Sequence, residues 1–163
     1  MDDLLNVDVA VARILEQISM LDSEVVSLED SLGRVLAEDI HSDIDLPPFD
    51  NSAMDGFALR AVDSKNARLE APIYLKVTMD IPAGMNPTGT LLQGEAARIM
   101  TGAPIPNGAD AVIPVEDTDA DFSDLDESIV PEKVGLYKAV PIGAAVRKVG
   151  ENIQQGQIIL TKG

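Results

Sequence analysis

Turn-forming residues recur about every ten positions from Pro72 to the C-terminus, and this spacing limits that part of the chain to short strands. Apolar and polar side chains alternate most clearly over 73–79, which predicts a half-buried strand. No crossover helices of the βαβ type separate these segments, so the pattern predicts a β-rich fold. We expect further strands over 96–101, 111–115, 128–134, 143–149 and 157–161.

The N-terminal segment follows a helical period instead. Apolar residues over 4–21 recur at the spacing of an amphipathic helix, and Asn6 is suited to cap its first turn. An isolated helix of this length is marginal in water, so its apolar face needs a partner surface. A second, short helix is predicted at 27–30, where the Ser27 hydroxyl can accept from the amide of Asp30, and Gly33 is suited to end it.

The stretch 46–59 contains two adjacent prolines, which fix φ and remove backbone donors, so it starts neither a helix nor a central strand. Asp50, Asn51, Ser52 and Asp55 then present carboxylate, amide and hydroxyl groups together, and Gly56 follows. The apolar residues interleaved with them can anchor such a loop to a core; they are Phe49, Met54, Phe57 and Leu59. Two interpretations stay open from the residues alone: a well-pinned turn, or a ligand site on a rigid scaffold.

A second unusual stretch, 98–110, ends a predicted strand at Thr101 and Gly102 and continues into a proline-rich turn. Thr101 offers a hydroxyl and Gly102 an unobstructed backbone N–H, a combination that suits an oxyanion or a phosphate oxygen. In a regular strand Arg98 and Thr101 face opposite sides, so Arg98 is not expected to share that contact. The alternative is a hydroxyl that simply ends a strand beside an ordinary turn.

The net charge of the chain restricts the classes of partner that it can bind. A formal net charge of −16, from 28 acidic and 12 basic residues, repels nucleic acid, anionic membranes and small oxyanions at long range. An anionic ligand would therefore need local donors or a bridging cation. The sequence contains no cysteine, which excludes disulfides and thiolate metal sites. The acidic N-terminus and the lack of a long apolar run predict a cytoplasmic protein without a membrane span.

Two further features are interpreted as structural. The acidic run 116–127 contains the Asp-x-Asp-x-Asp start of a calcium loop but has Phe122 and Ser128 where that loop needs Gly and Glu. We interpret this run as a solvated hairpin loop. His41 is the single histidine of the sequence, which argues against a serine-type triad or a multi-histidine metal site.

Taken together, two segments closely resemble the signatures of the molybdopterin molybdenumtransferase family, which comprises the bacterial MoeA proteins and the gephyrin E domain. These segments are PFDNSAMDGFA at 48–58 and RIMTGAP at 98–104. Supporting matches occur in the family's order and at its spacing. They are GRVLA at 33–37, GADAV at 108–112 followed by Glu116, and GENI at 150–153.

The resemblance implies an enzyme of molybdenum cofactor biosynthesis. Such an enzyme takes molybdate and adenylylated molybdopterin, inserts molybdenum at the dithiolene with the help of Mg²⁺, and releases AMP. It also implies a homodimer whose active cleft lies between two subunits. The residues that match the family's functional positions are Asp55 and Thr101, expected to be catalytic, while Asn51, Ser52 and Gly102 are candidate substrate contacts. No metal ligand is assigned.

The resemblance covers only the N-terminal portion of such an enzyme, because family members continue beyond Gly163 into the α/β domain that binds the pterin. We therefore expect this portion to be inactive by itself. The implied fold is α+β and β-rich: a helix over 1–20 that packs on the missing domain, an elongated mixed domain from 21–47 and 138–163, and an inserted domain of short strands over 48–137. The alternative is a stand-alone binding or scaffold module without transferase activity.

Overall fold

The structure is a computed structural model that describes residues 5–120 and 130–163. In these residues one α-helix, α1, spans Val7–Leu15. Short 3-10 helices span Glu29–Ser31, Ala61–Ser64 and Val115–Asp117. The strands are β1 (Ile40–His41), β2 (Asn51–Ser52), β3 (Gly56–Leu59), β4 (Arg68–Ile81), β5 (Glu95–Ile99), β6 (Ala111–Pro114), β7 (Lys133–Lys138), β8 (Val146–Arg147) and β9 (Ile158–Leu160).

Five of these strands form a mixed sheet in the order β6-β3-β5-β4-β7. Strands β4 and β5 run parallel, whereas β3 is antiparallel to both β5 and β6, and β7 is antiparallel to β4. Two smaller ladders pair β1 with β9 and β2 with β8. The β-rich class predicted from the turn spacing is confirmed.

The core lies on both faces of the sheet. Phe57, Leu59 and Ile113 belong to the apolar cluster on one face, and Ala58 and Ile99 belong to the cluster on the other. Strands β3 and β5 are therefore buried on both sides, and neither alternates between apolar and polar residues along its length. The long strand β4 instead alternates between buried and exposed positions from Leu75 to Thr78, as its period of two predicts.

Most strand predictions agree with the structure to within a few residues at either end. The segments predicted over 96–101, 111–115 and 157–161 correspond to β5, β6 and β9. The strand predicted over 128–134 lies partly outside the described residues, and the observed β7 begins later, at Lys133. The prediction over 143–149 was too long, because Gly143 has a φ of +82° and only Val146–Arg147 remain extended and paired.

The N-terminal helix is shorter than predicted. Asn6 caps it as expected, since its side-chain oxygen accepts from the amide of Asp8 at 2.8 Å. The helix ends at Leu15 rather than near residue 21. Just beyond its end, the amides of Gln17 and Ile18 each donate to the carbonyl oxygen three residues earlier, as in a 3-10 turn that closes a helix. None of its residues is buried, so it lacks the packing that extends a helix of this kind. The predicted cap at Ser27 is present, with its hydroxyl 3.3 Å from the amide nitrogen of Asp30.

Contacts divide the chain into two compact units. The first comprises the N-terminal residues through Ile40 together with Leu160–Gly163, and the second comprises His41–Ile159. This grouping differs from the three parts expected from the resemblance, 1–20, 21–47 with 138–163, and 48–137, which stay a prediction. None of the helices in the described ranges is long and apolar enough to cross a membrane.

Candidate functional site

The loop before β3 is held by backbone hydrogen bonds on two sides. On one side the amide of Ser52 donates to Ala103 O at 3.0 Å, and the amide of Ile105 donates to Asp50 O at 3.0 Å. On the other side β2 pairs with β8, and the amide of Ala53 donates to Ala145 O at 2.9 Å. Such a loop can carry a site with little conformational freedom to lose.

Not all of the expected apolar anchors contribute to this pinning. Phe57 and Leu59 are fully buried in the sheet, as anchors should be. Phe49 and Met54 instead remain 44% and 41% exposed, so the expectation that they anchor the loop was wrong. The loop owes its position to hydrogen bonds more than to its own apolar side chains.

Asp55 and Thr101 lie together at one end of the sheet. Asp55 immediately precedes β3 and Thr101 follows β5, and the antiparallel register pairs Gly56 with Ile99, so the two strand ends meet. The backbone amide and the hydroxyl of Thr101 each donate to Asp55 Oδ1 at 2.7 Å. Both residues are exposed. The structure therefore brings the two predicted catalytic residues into direct contact at the surface.

Two of the three predicted substrate contacts, Ser52 and Gly102, use their donors within the protein. Ser52 is fully buried and its hydroxyl donates to Met54 O. The amide of Gly102 donates to Ser52 O at 2.8 Å, so the expectation of an unobstructed N–H there was wrong. The cause is β2, whose backbone passes alongside the turn that follows β5. Whether these residues also touch a ligand stays a prediction.

Asn51, the remaining predicted contact, has a side-chain oxygen without a partner. The residue is 6% exposed, and its amide nitrogen lies 3.3 Å from Phe49 O. Within the described ranges no group donates to its Oδ1. Rotating the amide would place that oxygen against Phe49 O, so the observed orientation is the more favourable one.

Asp50 joins the loop to the segment after β8. Its Oδ1 accepts from the amide of Val149 at 2.9 Å, and its Oδ2 accepts from Lys148 Nζ at 2.7 Å. The Lys148 ammonium, followed by the Val149 amide, lowers the pKa of the Asp50 carboxyl below its ordinary value of 3.8. Sequence reasoning missed Lys148, because 98 residues separate it from Asp50 and nothing local signals the contact.

Replacing Asp50 by asparagine is expected to lower the free energy of unfolding at neutral pH by less than about 1 kcal/mol, because the ion pair is solvent-exposed. Since folding lowers the pKa of Asp50, its stabilisation is present above the ordinary value of 3.8 and is lost as the pH falls through the folded-state value. Urea unfolding of the unmodified chain and of Asp50→Asn, at neutral pH and at about pH 3, measures how the difference in their free energies of unfolding changes with pH. A difference that widens on acidification would contradict the assignment.

Arg98 is a buried charged residue of β5. It is 3% exposed and forms a two-point ion pair with Asp80 on the neighbouring parallel strand, with Nε and Nη2 distances of 2.6 and 2.8 Å. The register of β4 and β5 places these two residues opposite each other. Sequence reasoning missed Asp80, because the alternation of β4 gave it no feature that distinguishes it from other exposed positions.

No group of three or more His, Asp or Glu side chains in the described ranges is arranged to hold a metal ion. The first part of the acidic run is used structurally: Asp117 pairs with Lys138 at 3.2 Å, and Asp119 Oδ1 accepts from the amide of Gly135. The predicted hairpin loop otherwise lies in 121–129, outside the described residues. His41 Nδ1 lies 2.9 Å from Gly156 O.

Comparison with known proteins gives one consistent result. Residues 5–163 match the family model described as the MoeA N-terminal region, domains I and II. The chain is 43% identical over 157 residues to the molybdopterin molybdenumtransferase of Bacillus subtilis strain 168, covering 96% of this chain and 35% of that protein. It is 41% identical over 138 residues to molybdopterin molybdenumtransferase 2 of Mycobacterium tuberculosis, covering 85% and 32%.

The fold agrees with these sequence matches. The crystal structure of the molybdopterin biosynthesis moeA protein from Pyrococcus horikoshii OT3 superposes with a TM-score of 0.87 at 36% identity. The match covers 99% of this chain and 40% of that one. The chain thus spans about a third of the length of the curated relatives it matches.

Proposed function

This chain belongs to the MoeA family of molybdenum cofactor biosynthesis, through its N-terminal region, and we propose that it supplies one side of the active site of a molybdopterin molybdenumtransferase. The whole enzyme would transfer molybdenum from molybdate to the dithiolene of adenylylated molybdopterin and release AMP. In this proposal it acts as a cytoplasmic homodimer. The described chain would be inactive without the remainder of the protein.

The observation that carries this proposal is the contact between Asp55 and Thr101. Two strands of a rigid sheet fix the two residues, and two hydrogen bonds of 2.7 Å orient the carboxylate. The proposed role of Thr101 is to hold Asp55 Oδ1, so that Oδ2 is presented to the ligand in one defined direction. Preorganisation of this kind is what catalytic groups require, because the geometry costs nothing to adopt during the reaction.

The proposed Mg²⁺ fits this pair only as part of a larger set. Magnesium takes oxygen ligands and keeps several of its waters, so one carboxylate with substrate oxygens is a normal arrangement. Asp55 Oδ2 and Thr101 Oγ1 can supply two oxygens or accept from its waters. The ion would stabilise negative charge as it develops on the substrate. The residues of this chain would orient it and would not enclose it.

The test is molybdenum insertion by the full-length protein. Asp55→Asn and Thr101→Val are each expected to lower the rate about a hundredfold, the usual cost of one preorganised electrostatic contact. Thr101→Ser keeps both donors to Asp55 and should retain most of the activity. Asp117→Asn removes the same charge at an exposed ion pair elsewhere and should change little. Unchanged insertion by Asp55→Asn would overturn the assignment.

A further inference from the structure

We propose that the Asp55–Thr101 pair recognises hydrogen-bond donors and cations, and that it does not contact an oxyanion directly. This inference rests on the proposed function and specifies what this side of the active site would touch. The recognised group is a water of a hydrated divalent cation or an N–H donor of the organic substrate. Oxygens of molybdate or phosphate are excluded from first contact here. The prediction from sequence alone was the reverse, with Thr101 donating to an anionic oxygen.

The directions of the hydrogen bonds support the inference. A threonine hydroxyl has a single proton, and an ionised carboxylate can only accept, so the 2.7 Å bond to Asp55 Oδ1 uses that proton. The amide of Thr101 is used by the same oxygen. What the pair presents outward is the lone pairs of Thr101 Oγ1 and of Asp55 Oδ2. Both are acceptors.

The backbone amides of the turn after β5, from Thr101 to Ala103, offer no substitute donors. An oxyanion on a turn is normally held by successive backbone N–H groups that point into one concavity. Here the amide of Gly102 donates to Ser52 O at 2.8 Å, and the amide of Ala103 donates to Met100 O at 3.0 Å. The Ser52 hydroxyl donates to Met54 O. Three consecutive amides, 101 to 103, are therefore already used inside the protein.

The charges point the same way. The cation Lys148 is paired with Asp50, five residues before Asp55 in the same loop. The formal net charge of the chain is −16, so an approaching oxyanion also meets a repulsive field. To bind at Thr101 it would have to displace a carboxylate from two charge-assisted hydrogen bonds. A cation or an N–H donor binds without breaking either bond.

The inference can be tested by nuclear magnetic resonance titration of the 15N-labelled chain at constant ionic strength, with the Thr101 amide as the reporter. The donor probes are magnesium chloride, hexaamminecobalt(III) chloride and methylammonium chloride, and the oxyanion probes are sodium molybdate and sodium phosphate. We expect a saturable shift with at least one donor probe and none with either oxyanion. Hexaamminecobalt(III) carries only N–H donors and mimics a hydrated cation. A response to magnesium and cobalt indicates such a cation, and a response to methylammonium alone indicates an organic donor.

Asp55→Asn is the informative variant, because its amide oxygen can still accept from Thr101 while its NH₂ group points outward. The donor probes should then bind at least about tenfold more weakly, the loss of one charge-assisted hydrogen bond. Asp117→Asn lowers the net negative charge by the same amount at the exposed Asp117–Lys138 pair, so it controls for general attraction of cations to the acidic chain. Its donor response should stay within about twofold.

Three outcomes would overturn the inference: a saturable Thr101 shift with molybdate or phosphate in the unmodified chain, no response to any donor probe, or equal weakening by Asp55→Asn and Asp117→Asn. Each is separable from failure of the proposed function. Loss of molybdenum insertion in Asp55→Asn together with oxyanion binding at Thr101 keeps the function and overturns this inference. Full insertion by Asp55→Asn, together with the expected weakening of donor binding in that variant, does the opposite.

Discussion

Replacing Gly56 by alanine is expected to lower the free energy of unfolding by about 3 kcal/mol or more, a loss characteristic of severe overpacking. A Cβ atom at this position would lie 2.0 Å from Ile113 O and 3.0 Å from Pro114 Cα. Both are backbone atoms of β6, so no side-chain rotation can relieve the overlap. Strands β3 and β6 would have to separate where they pair Gly56 with Pro114.

Gly89→Ala provides a control in the same compact unit. The nearest atom to a Cβ there is the Met79 sulfur at 3.7 Å, which is an ordinary contact with a flexible side chain. We expect this variant to unfold within about 1 kcal/mol of the unmodified chain, with any gain coming from a less flexible unfolded state. Urea unfolding measures both variants. Equal stability of the Gly56 and Gly89 variants would show that β6 is not fixed against β3.

The same substitution is expected to disturb the site, because Gly56 follows Asp55 directly in the chain. The carbonyl of Asp55 accepts from the amide of Val115 at 3.1 Å, just beyond the end of β6. Moving β6 away from β3 therefore shifts the backbone that carries the carboxylate. The Thr101 amide signal should then lose the shift that its hydrogen bond to Asp55 produces. Gly56 thus helps to position Asp55, because it allows β3 and β6 to lie close together.

Which side chains face the core could be predicted only for elements in which one face meets water. Strand β4 is the clearest example, because Leu75 and Val77 are buried while Lys76 and Thr78 are exposed. Strand β5 gives no such signal, since Ala96, Ala97, Arg98 and Ile99 are all buried. An arginine in a strand normally indicates the solvated face. Here it lies in the core, and only the tertiary register with β4 explains why.

For the candidate site, the sequence selected two residues that the structure brings into contact, but it gave no indication of how their hydrogen-bond donors are used. The resemblance to known signatures selected Asp55 and Thr101, and the net charge predicted a field that repels oxyanions. Whether Thr101 donates or accepts toward a ligand depends on where its one proton points, and that depends on Asp55 lying within 2.7 Å. The use of the Gly102 amide by Ser52 likewise follows from the path of β2. Neither contact has a local sequence signal.

Replacing Asp80 by alanine is expected to lower the free energy of unfolding by about 3 kcal/mol, because it removes the carboxylate from a buried guanidinium. The Arg98 side chain is only 4% exposed, so water has little access to a guanidinium that has lost its two bonds to Asp80. Asp117→Ala is the matched control: its partner Lys138 is 64% exposed, and the loss should stay within about 1 kcal/mol. Urea unfolding distinguishes the two variants, provided that the slope of the free energy of unfolding against urea concentration is the same in both.

A combined Asp80→Leu and Arg98→Met variant shows whether the pair stabilises the sheet or specifies its register. Replacing both residues by apolar ones removes the charge that Asp80→Ala leaves in the sheet, so we expect this variant to recover most of the stability lost in Asp80→Ala. The pair connects β4 and β5 beyond the irregularity in their register between Val77 and Met79. If Asp80 and Arg98 specify that register, the recovered protein will show an altered Thr101 amide, because Thr101 follows β5 directly. Recovered stability with an unchanged Thr101 signal would show instead that the apolar residues of the two strands specify the register.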